Sequence, residues 1–206
     1  MTRIVSASPD DMSLTALFIA KVVEEQPMIE ALLDSLGNEL TIESIERLSN
    51  EKVKNSCIKY FKELEPHISK VGSNCVIDKF PLNISSVPMI YNTFPRAKLI
   101  LAVRHPLDSI LSCWMQNFKL NQAMSNMVDL ETIVDFYCYT MEIMELSDER
   151  YSLDLHKVRY EDLVLDMKSE VSSLLNFLSL NWESELDDYA NTALNRNKIN
   201  TPSYFQ

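Results

Sequence analysis

The stretch that decides the fold is Phe94-Pro95-Arg96-Ala97-Lys98-Leu99-Ile100-Leu101-Ala102-Val103-Arg104-His105-Pro106-Leu107-Asp108-Ser109-Ile110-Leu111-Ser112. Leu99–Val103 is a continuous apolar run, the pattern of a strand buried on both faces. Pro106 suits a first helical turn, where its missing N–H has no partner to lose. The apolar face of the helix that follows would be Leu107, Ile110, Leu111, Trp114 and Phe118, leaving Asp108, Ser109 and Ser112 on another face. A buried strand that ends in arginine just before a helix N-terminus joins a fixed cation to unpaired backbone N–H groups, which together favour an anion.

Working outward, Cys75-Val76-Ile77 is a second apolar run, ending in Asp78-Lys79-Phe80-Pro81. Between the two runs Ile84, Val87, Ile90, Tyr91 and Phe94 fall at helical spacing, which makes a strand–helix–strand unit. Downstream come a long helical pattern from Asp129 to Leu146, a third strand pattern over Leu153–Arg159, and helical steps from Leu163 to Leu178. Alternating strands and helices predict an α/β fold with a parallel sheet flanked by helices. From Leu14 to Leu64 apolar residues recur at three- and four-residue steps, so 1–73 is expected to be mostly helical and 74–206 α/β, in one domain over 1–206. In such sheets ligands bind beyond the carboxyl ends of the strands, where Lys79, Arg104 and Tyr160-Glu161-Asp162 fall.

The chain's 206 residues are enough for a core without staples. The net charge of -11 and the lack of a long basic run argue against nucleic acid as a partner. Cys57, Cys75, Cys113 and Cys138 form no C-x-x-C pair and read as buried free thiols rather than metal ligands. The apolar stretch Leu14–Ala20 is too short to span a bilayer, and Asp10 and Asp11 do not suit a signal peptide, so no membrane span and a cytoplasmic setting are expected. Taken alone, Arg104 reads equally well as a surface arginine paired with Asp108, Ser112 as solvated helix surface, and Lys79 as a lysine pointing to water.

Read together, these strings resemble the sulfotransferase family that uses 3′-phosphoadenosine 5′-phosphosulfate, PAPS. Asp78-Lys79-Phe80-Pro81-Leu82-Asn83 is similar to the family's D-K-x-P-x-N, notably in its tetratricopeptide-linked and protein-tyrosine sulfotransferase branches. Phe94–Ser112 resembles F-P-x-A-x-I followed by R-x-P-x-D and a serine; Tyr160–Leu163 resembles Y-E-D-L; Phe177–Trp182 resembles F-L-x-L-x-W; and Thr201–Gln206 resembles the closing T-x-S-x-x-Q. The agreement runs over roughly residues 75–206.

The resemblance implies a P-loop NTPase-like sulfotransferase fold and roles position by position. Arg104 and Ser112 would hold the 3′-phosphate, Tyr160 would border the adenine, and Lys79, assisted by Ser203, would stabilise charge on the bridging oxygen. Glu25, in Glu25-Gln26-Pro27, would be the general base; the same residues also read as a charged helix start, and His105 is a second candidate. PAPS is the implied donor and PAP the product, with no metal, and a small molecule, sugar or peptide would be the acceptor. The family's Gly-containing phosphosulfate loop has no counterpart near Gly37 or Gly72, so the fold is expected to be incomplete at both ends. A catalytically inactive nucleotide-binding or protein-interaction domain is therefore the alternative. A P-loop kinase relative is disfavoured, because no G-K-[ST] string occurs.

Overall fold

The computed structural model describes residues 2–7, 20–24, 28–36, 40–67, 75–116 and 124–188. Its strands are β1 (Thr2–Ala7), β2 (Ala20–Glu24), β3 (Cys75–Lys79), β4 (Lys98–Val103) and β5 (Leu155–Arg159), in the sheet order β2-β3-β1-β4-β5. Its helices are α1 (Met28–Leu36), α2 (Ile42–Glu46), α3 (Asn50–Leu64), α4 (Val87–Thr93), α5 (Pro106–Trp114), α6 (Leu130–Tyr151), α7 (Tyr160–Leu165) and α8 (Met167–Leu178). The chain is thus an α/β protein whose sheet is flanked by helices.

The strands β2 and β3 are parallel, and β1 is antiparallel to both β3 and β4, so β2, β3 and β4 share one direction. Two strands lie where the sequence pattern suggests helix or nothing. Ala20–Glu24 is an edge strand: the β-branched pair Val22-Val23 favours extended backbone, and Lys21 and Glu24 are charges typical of a sheet edge. Thr2–Ala7, with the β-branched pair Ile4-Val5 at its centre, fills the gap between β3 and β4. The helical reading holds for α1, α2 and α3.

Helix boundaries follow local chemistry. Thr41 and Ser44 form a reciprocal capping box at α2, and Ser49 accepts the Lys52 N–H at the start of α3. Asp166 caps α8 by accepting the Ser169 N–H, which splits the helical pattern from Leu163 to Leu178 into α7 and α8. Pro88 and Pro106 occupy first-turn positions of α4 and α5.

The chain divides into two compact units, Met1–Val103 with Thr140–Val158, and Arg104–Tyr139 with Arg159–Gln206. The core of the first unit joins Ile29 and Leu32 of α1, Leu64 of α3, Ile90 of α4, Leu99 of β4 and Met144 of α6, each at most 2% exposed. Burying each such side chain contributes about 1.5–3 kcal/mol. In the second unit α5 departs from its expected packing. Ile110 is buried, whereas Leu107, Leu111 and Trp114 are 63%, 45% and 53% exposed. Apolar periodicity identifies an amphipathic helix but not whether its apolar stripe is covered.

Among the described residues no helix is long and apolar enough to cross a membrane. The thiols Cys57 and Cys113 are half-buried and Cys138 is exposed, so those three are free, but the burial expected from their apolar context is not found.

Candidate functional site

In the first unit the candidate residues are Asp78-Lys79 at the carboxyl end of β3. Asp78 is 1% exposed, and its carboxylate accepts the Tyr60 hydroxyl at 2.9 Å and, more weakly, the Asn83 amide at 3.4 Å. Burial pushes the Asp78 carboxyl above its ordinary range, against the opposing effect of the Tyr60 and Asn83 hydrogen bonds. The Tyr60 hydroxyl is also pushed up, first by burial and then by the adjacent carboxylate. Asn83 belongs to the six-residue 3-10 segment Pro81–Ser86, and its N–H donates to the Phe80 carbonyl at 3.1 Å. The D-K-x-P-x-N string therefore folds on itself: Asp78 and Asn83 meet around the proline turn, and Lys79 stands at the point where the strand ends.

Lys79 is 8% exposed, which overturns its reading as a lysine pointing to water. It is in register with Arg3 of β1 and with Glu24, the last residue of β2. Glu25 and Ser203 lie outside the described residues.

In the second unit the candidate residues gather at the entry to α5. Arg104 lies with its guanidinium carbon 5.4 Å from the centroid of the Tyr160 ring, and its Nε is 3.4 Å from Asp108 Oδ2. Both partners of that ion pair are about half exposed, at 42% and 54%. The surface pairing with Asp108 that the sequence allowed is thus present, together with a cation–π contact that it did not reveal. Ser112 is half-buried and one turn beyond Asp108 on α5. Tyr160 is 52% exposed, so its ring is accessible to a flat partner.

His105 is the residue that caps α5, without a side-chain hydrogen bond of its own to the helix. Its backbone N–H donates to Glu161 Oε1 at 2.8 Å, and that bond is the main reason the Glu161 carboxyl sits below its usual value. Neighbouring Arg159 contacts Asp162 at 3.4 Å and Glu161 at 4.0 Å. The Y-E-D segment thus presents the Tyr160 ring to Arg104 while Glu161 ties the start of α7 to the start of α5. The sequence placed Tyr160-Glu161-Asp162 at the strand end but assigned a role only to Tyr160, and it gave no sign of Tyr60.

A cation with five N–H donors, a hydroxyl one to two turns along the same helix and an aromatic ring in contact with the cation make a donor set that fits a phosphate monoester on a nucleoside. Two carboxylates there do not fit: Asp108 competes with any anion for Arg104, and Glu161 already holds the His105 N–H at the same helix entry. Among the described residues no cluster of three His, Cys, Asp or Glu side chains could hold a metal ion.

The class is set by comparison with known families: the chain belongs to the sulfotransferase family, whose profile matches residues 7–184. The chain is also similar to an uncharacterized protein of Aquifex aeolicus (strain VF5), 27% identical over 146 residues. That alignment covers 69% of this chain and 19% of the Aquifex protein, so the chain spans a small part of the length of the relative it matches.

Proposed function

We propose that the chain transfers a sulfuryl group from PAPS to a hydroxyl or amine on a small-molecule, sugar or peptide acceptor, as one sulfotransferase-like domain in the cytoplasm. What carries the reading is the α5 entry, where Arg104, held against Tyr160, precedes a helix bearing Ser112. Arg104 and Ser112 bind the 3′-phosphate by charge-assisted and hydroxyl hydrogen bonds, and Tyr160 borders the adenine. PAPS supplies the sulfuryl group, and PAP leaves.

Lys79 neutralises the negative charge that grows on the bridging oxygen as the sulfur–oxygen bond to the 5′-phosphate breaks, with Ser203 assisting. The acceptor oxygen or nitrogen forms the new bond to sulfur and gives its proton to Glu25. By analogy with phosphoryl transfer the transition state is loose and in line, so positioning and charge stabilisation carry the rate. The buried setting of Lys79 supports this role, since an ammonium in a low-dielectric site acts more strongly than one in water.

The test is PAP release from PAPS in the presence of phenolic, sugar and tyrosyl-peptide acceptors. The wild-type chain should release PAP with at least one of them, and Lys79→Ala should lower the rate by about 10²–10³. Equal rates in the two proteins would sink the assignment of Lys79. A second reading, a domain that binds PAP without transferring sulfate, draws support from the acids in Ser6-Ala7-Ser8-Pro9-Asp10-Asp11. It is the outcome if PAP binds but no acceptor is sulfated.

A further inference from the structure

We propose that Tyr60 is a positioning residue for Lys79 and acts through Asp78. This rests on the reading of Lys79 as the group that meets the bridging oxygen. Side chains alternate along a strand, so Asp78 and Lys79 leave β3 on opposite faces, and Asp78 acts on its neighbour through the backbone rather than by contact.

That backbone is pinned from two directions. Tyr60, 2% exposed on α3, reaches Asp78 Oδ2 at 2.9 Å, while Asn83, also 2% exposed, approaches Oδ1 from the proline turn. The Tyr60 bond is the shorter of the two, so it is the main partner of a buried carboxylate that would otherwise be left with one 3.4 Å contact. The Tyr60 ring is itself fixed by edge-to-face contacts with Phe61 at 5.5 Å and Phe94 at 4.8 Å. On the far side of Lys79, Phe80 is extended, with φ -130° and ψ 123°, as a residue before proline must be. Lys79 therefore sits between a residue anchored to α3 and a turn with little freedom. Of these pins, the Tyr60 hydroxyl is the one that a single-atom change can remove.

The experiment uses the whole chain with 13C-labelled lysine and follows the Lys79 Cε resonance, assigned with Lys79→Arg, together with the rate of Nζ acetylation. Tyr60→Phe keeps the ring and its aromatic contacts. It is expected to move the Lys79 resonance and change Lys79 acetylation at least about twofold, and to cut kcat on the order of tenfold while the KM for PAPS stays within about twofold. An unmoved resonance and unchanged acetylation in folded Tyr60→Phe would overturn the proposal whether or not transfer is detected. A Lys79 that responds to Tyr60→Phe, in a chain whose turnover survives Lys79→Ala, would instead leave the positioning intact and refute the catalytic reading of Lys79.

Discussion

Asp108→Asn should make the chain bind PAP more tightly. Asp108 holds Arg104 Nε at 3.4 Å with both side chains about half exposed, so the pair is of the solvent-screened kind. Any phosphate that takes Arg104 must first displace that carboxylate and then tolerate it nearby. Exposed pairs contribute about 0.3–1 kcal/mol, so relieving the competition should tighten PAP by about two- to fivefold. The change also has a cost. Asp108 lies in the first turn of α5, where a negative charge favours the helix, and losing it should destabilise the chain by about 0.3–1 kcal/mol, or roughly 1–4 °C in Tm. Isothermal titration of both proteins with PAP at about 0.15 M and at about 0.5 M salt is the assay, because screening should shrink the difference between them at the higher concentration. Unchanged or weaker PAP binding by folded Asp108→Asn at the lower salt would refute the idea that Asp108 and the 3′-phosphate compete for one guanidinium.

Two further expectations concern other parts of the chain. Glu46 accepts hydrogen bonds from Arg150 at 2.6 and 2.8 Å and from Tyr151 at 2.9 Å, and these partners, Arg150 first, bring its carboxyl down to about 2 from 4.5. Because the folded value is the lower one, the stabilisation is present above about pH 4.5 and is lost as pH falls toward 2; thermal melts of Glu46→Gln should lack that part of the acid dependence, and an unchanged slope would argue against the clamp. Burial pushes the Cys57 and Cys113 thiols up, whereas Cys138 is exposed, so limited alkylation read by mass spectrometry should mark Cys138 before the other two by about tenfold; simultaneous labelling of all three would contradict this packing.

The parts of the fold legible in the sequence are those where one residue run carries the whole signal. Leu99–Val103 and Cys75-Val76-Ile77 are uninterrupted apolar segments that end in distinctive polar residues, and β4 and β3 lie there. Ala20–Glu24 was not legible, since five residues with a Val-Val pair also satisfy a helical spacing and only pairing with β3 decides between the two. The same limit governs the site. Arg104, Ser112 and Tyr160 stand in recognisable local strings, but the bond from Tyr60 to Asp78 spans 18 positions and that from Glu161 to His105 spans 56. Contacts of that kind depend on how elements pack, and no local spacing announces them. The exposed stripe on α5 shows the converse, a local pattern whose burial the sequence overstates.

The central claim is that Arg104 reads a 3′-phosphate, and it is tested most directly by titrating the wild-type chain and Arg104→Ala with PAP and with 5′-AMP, which lacks that group. A charge-assisted hydrogen bond contributes about 1.5–3 kcal/mol, so the wild type should prefer PAP by about 10- to 100-fold, and Arg104→Ala should bind both nucleotides alike. Equal affinity of the wild type for the two nucleotides, or a PAP preference that survives Arg104→Ala, would contradict it.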